Sequence, residues 1–376
     1  MLRQHCLSIW RISKARFLEL AQEIGETFPR ENPTLYFRPS VKNDNAGGPL
    51  YSAYEYKKKS LRDKGLLKLS NKCLTRDFEP SESENSKIEW LQTNTSPRDD
   101  VITNWEGSFH VRMNLLKAGK KQISVSDYYN KFIALKTNLG AELLETDFEK
   151  IHPKKSDLFA HRWNFIADYF TEYFVKPSVI ASFDKAEYAR LLRLLEPQNK
   201  VAPILFLLPC IIPDQSRKRP ATSSTENTGT SELSKAERTR LTLQERRNSL
   251  FLQIEDAAQF QSAVQEHRML LRASGESFQP TIVFIGPLEA VESSCVVVNE
   301  FIYQVNSPIE AVNLCFKIFW ALDCKYPQRA NSIWLFLQTA GYKIDANARL
   351  NQTIVTLNLN IDKKITAANT SAEATQ

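Results

Sequence analysis

The stretch Pro280–Val305, PTIVFIGPLEAVESSCVVVNEFIYQV, decides the fold class of this chain. Its two apolar runs, Pro280–Gly286 and Cys295–Val305, are rich in β-branched residues and are bounded by turn-forming residues. β-branched and aromatic side chains favour extended backbone, and short runs of this kind between turns are typical of strands. The two runs therefore predict two strands that pair like a hairpin.

Helices are predicted on both sides of these strands. On the C-terminal side, Ser307 and Pro308 are residue types that begin a helix. The apolar residues that follow at helical spacing, and that are predicted to be buried, are Val312, Phe316, Phe319 and Trp320. On the N-terminal side, a capping-box match at Ser234–Glu237 predicts the start of a long helix that runs to about Arg272.

Residues 1–212 are predicted to form a mainly helical domain. Apolar and aromatic residues recur there at the i, i+3 and i+4 spacing of an amphipathic helix. One series is Val101, Trp105, Phe109, Met113 and Leu116, and another is Phe159, Trp163, Ile166, Phe170 and Phe174. Such stripes usually pack into a core, so they are interpreted as core residues and not as a ligand site.

The composition divides the rest of the chain into three parts. Residues 213–233 are predicted to be a disordered basic linker, because Asp214–Glu232 is polar and has no aromatic or branched aliphatic residue. Residues 234–345 are predicted to hold the long helix and a small α/β domain. In residues 346–376, the alternation in Asn351–Ile361 predicts a last strand, and the tail is predicted to be disordered. The predicted fold class is a mainly α N-terminal domain joined by this linker to a small α/β C-terminal domain.

The composition is that of a globular chain without membrane association. Of its 376 residues, 42% are hydrophobic and 24% are charged, which leaves enough apolar material for a sizeable core. The longest apolar run, Val201–Ile212, contains two prolines and falls short of the roughly 20 residues that a membrane span needs. The basic N-terminus, residues 1–27, predicts an amphipathic helix, with a mitochondrial presequence as the minor alternative.

Cysteine, histidine and glycine spacing predicts neither a metal site nor a cofactor. The six cysteines include no Cys-x-x-Cys pair, and with only five histidines no group has zinc-ligand spacing. The neighbouring His5 and Cys6 are interpreted as chance, and the scattered thiols as reduced cysteines of an intracellular protein. The 11 glycines form no Gly-x-Gly and no phosphate-binding loop.

No catalytic residue is predicted, although the sequence leaves an enzyme open. The Gly-x-Ser-x-Gly and His-Glu-x-x-His motifs are both absent. Asp99 and Asp100 follow Ser96-Pro97, a helix start where acids complement the dipole, so this role is favoured over metal binding. The enzymatic alternative is a transposase- or nuclease-like phosphoryl transferase that holds two metals on carboxylates.

A compact basic cluster lies inside the predicted linker. It consists of Arg217, Lys218, Arg219 and Pro220. A basic cluster on exposed, extended chain suits the groove of a nuclear-import receptor or a phosphate backbone. The cluster is therefore a nuclear-import candidate, and the alternative is a linker whose charges only keep it solvated.

Two further basic groups are candidates for nucleic-acid binding. The residues are Lys57, Lys58, Lys59, Arg246 and Arg247. The three lysines adjoin the tyrosine-rich stretch Tyr51–Tyr56, and basic side chains interleaved with exposed aromatic ones suit single-stranded nucleic acid. The alternative is that the tyrosines are buried. Around Arg246 and Arg247, the alternative is ordinary ion pairing along a helix surface.

The order of motifs resembles a family of uncharacterised animal proteins, many of them loosely labelled sterile alpha motif domain-containing-like and often multicopy and associated with mobile elements. The motifs are FPRENPTLYFRP at 28–39, LYSAYEYKKKSLRDKGL at 50–66, KIEWLQTNTSPRDDVITNWEGSFHVRMNLL at 87–116, LGAELLETDFEKIHP at 139–153 and the run at 280–344. This resemblance implies a mobile-element-derived, nuclear protein. It implies no activity for particular residues, and no sterile alpha motif domain is recognisable here.

The expected function is that of a non-enzymatic binding or scaffold protein. Protein partners are expected, nucleic acid is a further candidate partner, and no membrane partner is expected. The alternatives are the phosphoryl transferase above and a self-assembling, capsid-like helical protein. The expected location is intracellular, with the nucleus favoured over the cytoplasm and the mitochondrion as a minor alternative.

Overall fold

The computed structural model describes residues 12, 14–28, 32–39, 46–63, 80–117, 123–180, 182–213, 242–346 and 350–373. Its contacts divide the chain into two compact units, Met1–Glu79 and Pro80–Gln376. Each unit has a hydrophobic cluster of its own. Helices dominate the described residues, and a four-stranded sheet lies in the C-terminal part, as the sequence predicts.

The first unit is built around a small aromatic cluster. Its described helices are α1 (Lys14–Thr27), α2 (Pro33–Tyr36) and α3 (Pro49–Asp63). The buried ring of Phe17 stacks on Phe37 with ring centroids 4.8 Å apart and meets Tyr54 edge-on at 5.3 Å. Tyr51 packs against the same rings, so the stretch Tyr51–Tyr56 is partly used for packing.

The second unit begins with eight α-helices in its described residues. They are α4 (Glu82–Thr93), α5 (Arg98–Gly107), α6 (Phe109–Lys117), α7 (Val125–Lys131), α8 (Gly140–Ile151), α9 (Leu158–Phe174), α10 (Phe183–Leu194) and α11 (Val201–Ile211). The predicted helical character of this region is confirmed. At the start of α4, Ser81 and Glu84 form a capping box in which each side chain bonds the other residue's backbone N–H.

The apolar run predicted to be too short for a membrane span forms α11. Val201, Ile204 and Leu208 on this helix are completely buried in the protein core. Across the residues that the structure describes, no helix combines the length and apolar character needed to cross a membrane.

The sheet contains four strands in the order β1-β2-β3-β4. They are β1 (Phe251–Ile254), β2 (Thr281–Ile285), β3 (Ser293–Val298) and β4 (Phe301–Val305). β1 and β2 are parallel, and the chain between them includes a helix, α13 (Phe260–Ala273). The antiparallel pairing of β2 with β3 confirms the predicted strand pair. The second predicted strand is itself a hairpin, which turns at Asn299 and Glu300.

The predicted long helix at 234–272 is wrong within the described residues. The chain forms a short helix, α12 (Leu243–Asn248), then β1, and only then α13. Thr242 and Glu245 form the capping box that begins α12. Phe251 and Leu252 are extended because they pair with Ile282 and Val283 of β2, a contact that helical periodicity cannot reveal.

The predicted last strand at 351–361 and the predicted disordered tail are also wrong within the described residues. After α14 (Pro308–Ala321), α15 (Asn331–Phe336) and a π-helical turn at Leu337–Gly341, the next helix is α16 (Gln352–Glu373). Ile354, Leu357 and Ile361 are buried on one face of α16. Their i, i+3 and i+7 spacing is helical, although the local sequence also alternates like a strand.

One hydrophobic cluster joins helices of the second unit to its sheet, from which Ile282, Phe284 and Val296 contribute. Phe316 of α14 stacks on Tyr342 with ring centroids 3.8 Å apart, and Tyr342 stacks on Phe159 of α9 at 5.2 Å. Phe148 of α8 meets both Phe316 and Tyr342 edge-on at 5.9 Å. This shared core differs from the predicted division into domains 1–212 and 234–345. Of the predicted linker 213–233, residues 214–233 lie outside the described residues.

Candidate functional site

Two of the predicted nucleic-acid-binding residues, Arg246 and Arg247, are buried at the end of α11. Arg246 donates from Nη1 to the Pro209 carbonyl at 2.6 Å and from Nη2 to the Ile212 carbonyl at 2.5 Å. Arg247 donates to the Phe206 carbonyl at 2.9 Å and lies over the Phe206 ring at 3.4 Å. Cationic donors suit the unpaired carbonyls at a helix C-terminus. The prediction that Arg246 and Arg247 bind nucleic acid is therefore wrong, because buried guanidinium groups are not available to a polyanion.

Of the other predicted basic residues, only Lys57 has a side chain within the described structure. Lys57 is exposed on α3, and the neighbouring ring of Tyr56 is 74% exposed. The side chains of Lys58 and Lys59 lie outside the described part of the structure, and so does the whole cluster Arg217–Pro220. Nucleic-acid binding at the lysines and nuclear import therefore stay predictions.

The two acids predicted at a helix start are exposed, and Asp99 has Arg98 as an ion-pair partner at 4.0 Å. Asp99 and Asp100 lie in the exposed first turn of α5, the position at which acids complement the helix dipole. Among the described residues, no three His, Cys, Asp or Glu side chains come together as a group that could hold a metal ion.

The most deeply buried charges form an internal network between α6 and α8. Arg112 donates from Nη1 and Nη2 to the two Asp147 oxygens at 2.6 and 2.7 Å. Its remaining bonds reach Tyr128 Oη at 2.9 Å, the Trp105 carbonyl at 2.8 Å and Ser108 Oγ at 3.2 Å. Burial alone would lower the pKa of Arg112, but the charge interactions and hydrogen bonds with Asp147 and Tyr128 together outweigh burial, and the pKa is raised. The network is closed on itself and stabilises the fold.

The described sheet has two edge strands, β1 and β4, and β4 has no strand on its outer side. β4 is the last strand in the described sheet, and its residues Phe301–Val305 include neither a charged residue nor proline. Natural edge strands are commonly protected by lysine, proline or a bulge. β4 has none of these sequence features, so its edge is open to pairing with another strand.

The hairpin register determines which backbone groups point outward. Val298 and Phe301 flank the two-residue turn and form a hydrogen-bonded pair, and such pairs alternate along an antiparallel ladder. Phe301, Tyr303 and Val305 therefore bond to β3, whereas the N–H and C=O groups of Ile302 and Gln304 face away from it. In the described residues no hydrogen bond reaches these outward groups.

A groove runs along the open edge between β4 and α13. It has a volume of about 400 Å³, and its apolar lining comes from Phe260, Val264, Val297 and Ile302. Ile302 is 40% exposed, although it lies opposite the buried Val297. This exposure arises because α13 packs over β1, β2 and β3, and Ile302 lies beyond its cover.

Side-chain bonds hold the edge in place. Arg268 of α13 forms an ion pair with Glu300 in the turn at 2.7 Å and also donates to the Asn299 carbonyl. On the opposite face of the sheet, Phe301 stacks on Tyr129 at 4.6 Å, and Tyr303 Oη donates to the Leu135 carbonyl at 2.8 Å. Because both faces are anchored, β4 is preorganised to receive another strand.

Neither sequence motifs nor known relatives point to this edge. The run Cys295–Val305 predicts a strand, but strand order is a property of the folded sheet, and only this order exposes Ile302 and Gln304. The lack of charged residues in Phe301–Val305 is the one sequence feature from which an unprotected edge strand could have been predicted. No family model, curated protein or solved structure matches the chain.

Proposed function

We propose that this chain is a non-enzymatic binding or scaffold protein that holds an extended segment of a partner protein on β4. The supporting observation is the unpaired edge, where the backbone groups of Ile302 and Gln304 face outward and Ile302 lines a groove with both apolar and polar residues. Strand addition of this kind takes affinity from main-chain hydrogen bonds and specificity from alternate side chains.

The size of the edge favours a peptide segment over a second copy of this chain. Five residues of strand extend about 17 Å at roughly 3.4 Å per residue. Stable interfaces between folded proteins usually bury more than about 1,200 Å² in total, which is large for one short edge. A linear segment needs only the edge and the groove. Its side chain beside Ile302 would be apolar, because the adjacent lining residues Val264 and Val297 are apolar.

The test is a selection of displayed random peptides on the purified full chain, followed by measurement of affinity for the selected peptides. We expect Gln304→Pro to weaken binding by more than about tenfold, because proline removes an outward N–H donor and its ring obstructs the incoming strand. The change leaves the ladder to β3 intact, since the Gln304 N–H does not take part in it. Gln304→Thr is the matched control, because it retains the N–H donor and should bind normally.

A second variant tests whether the selected peptides bind at β4 or elsewhere on the chain. Ile302→Lys, which introduces a charge into the groove, is expected to reduce binding as Gln304→Pro does. Unchanged thermal unfolding of the variants would show that the sheet is intact. Peptides that bind Gln304→Pro as tightly as the parent chain would refute the proposed use of β4.

The proposal extends to the nucleus through the basic cluster at Arg217–Pro220, as the resemblance to mobile-element-associated proteins also suggests. We expect replacement of Arg217, Lys218 and Arg219 by alanine to abolish nuclear accumulation of the chain fused to a reporter too large to diffuse through nuclear pores. The matched control replaces Lys185, Arg190 and Arg193 of α10, which removes the same charge at residues with no assigned role. Equal nuclear signal from the linker variant and the parent would contradict the import role.

A further inference from the structure

A second cleft lies where α13 ends, beside the residues that precede β1 and β2. It has a volume of about 230 Å³. Its lining comes from the C-terminal part of α13, from the residues that precede β1 and β2, and from the segment after α14. Its polar and charged lining residues include Ser249, His267, Glu276 and Lys325. None of them lines the groove beside β4.

Two buried polar side chains in this cleft have no hydrogen-bond partner among the described residues. His267 and Ser249 are each 7% exposed. Neither the imidazole nitrogens of His267 nor the hydroxyl of Ser249 takes part in a side-chain hydrogen bond within the described structure. The polar atoms of both side chains open onto the cavity and are not sealed from it, so they are available to a polar ligand.

Of the two basic side chains at the cleft, Arg329 forms ion pairs and Lys325 forms none in the described part of the chain. Arg329 is neutralised by Glu276 at 2.7 Å and by Glu245 at 2.9 Å. Lys325 is exposed on the rim and has no ion pair within 4.0 Å in the described part of the chain, although Asp323 is near enough to feel its charge. The Lys325 ammonium is thus the charged donor that a ligand would meet first.

The cleft continues into a larger one. The neighbouring cavity has a volume of about 520 Å³ and shares Ser277, Gln279 and Lys325 with the first. Its apolar lining includes Phe278 and Leu322. Lys325 therefore stands where the two cavities meet, and a ligand anchored on it could extend into either.

We propose that this cleft binds a small molecule with an oxyanion, either a carboxylate or a phosphate, on Lys325 and a neutral hydrogen-bonding group on His267 and Ser249. An ammonium is a compact point charge suited to oxyanions. The buried end requires a group that can both donate and accept. Desolvation and the positive charge of Arg329 lower the pKa of His267 despite Glu276 nearby, so a neutral imidazole, with one donor and one acceptor, faces the ligand at neutral pH.

The test follows the histidine ring signals of the full chain by nuclear magnetic resonance during titration with inorganic phosphate and, separately, with acetate at constant ionic strength. The His267 signals are assigned with His267→Gln. We expect saturable shifts at His267 with at least one of the two probes, and the two titrations tell a phosphate site from a carboxylate site. Lys325→Met should weaken the apparent affinity by about tenfold or more, the effect of losing one charged hydrogen bond.

Lys363→Met is the matched control, because Lys363 is exposed on α16 and does not line the cleft. This control should titrate like the parent chain. Shifts that rise linearly without saturation, or that persist unchanged in Lys325→Met, would show a general ionic effect only and would overturn the proposal. An absence of any His267 shift with both probes would overturn it as well. Neither outcome bears on strand binding at β4.

Discussion

Asp147→Asn is expected to lower the free energy of unfolding of this chain by about 3–5 kcal/mol. Arg112 and Asp147 are both completely buried, and Arg112 donates to both carboxylate oxygens. Asparagine has nearly the same shape but no charge, so the buried guanidinium would lose its counter-charge. Denaturant unfolding would show the effect as a lower midpoint with an unchanged slope.

The exposed pair Arg98–Glu142 provides the matched control. Its partners are 61% and 44% exposed, and its N–O distance is 2.5 Å. Solvent screens such a pair, so Glu142→Gln should cost no more than about 1 kcal/mol. Similar losses from Asp147→Asn and Glu142→Gln would contradict the structural role assigned to the buried network.

Phe316→Ala is expected to cost about 3–5 kcal/mol, the range for a large aromatic side chain removed from a core. Phe316 is completely buried and packs between Tyr342 and Phe148. Because Phe148 and Phe316 share one hydrophobic cluster with Phe284 and Val296 of the sheet, the loss should destabilise the helices and the sheet together. Far-ultraviolet circular dichroism and tryptophan fluorescence should therefore report the same, lowered transition.

Phe183→Ala is the control for this core substitution, since the Phe183 ring on α10 is 81% exposed. The same chemical change there should alter the free energy of unfolding by less than about 0.5 kcal/mol. Two separate transitions in Phe316→Ala, one for the helices and one for the sheet, would contradict the single core. They would restore the predicted division between residues 1–212 and 234–345.

Local sequence was a good guide wherever one periodicity dominated. The helix predicted from Ser307-Pro308 forms as α14, because a serine cap, proline in the first turn and a helical stripe all indicate the same structure. In 351–361 the pattern fits both periods, and packing of Ile354 and Ile361 into the core selected the helix. In 243–254 a strand interrupts the predicted helix, because Phe251 and Leu252 pair with the backbone of β2.

The candidate sites depended more heavily on the folded state. Arg246 and Arg247 look like exposed basic residues in the sequence, but the carbonyl end of α11 covers them. Conversely, nothing about His267 or Ser249 in the sequence indicates a cavity, because the groups that surround them come from distant segments. Burial is a property of tertiary packing and is not encoded in any short stretch of residues.

Most of the helices and strands of this protein could be predicted from the sequence, since propensity, capping and periodicity act within a few residues. The sequence thereby predicted a helical region followed by a small sheet. Only the tertiary structure decided that α8, α9 and α14 share one core, that β4 is the last strand, and that two buried polar side chains line one cleft. The physical reason is that packing, strand order and cavities arise from contacts between residues far apart in the chain, and these contacts leave no local pattern.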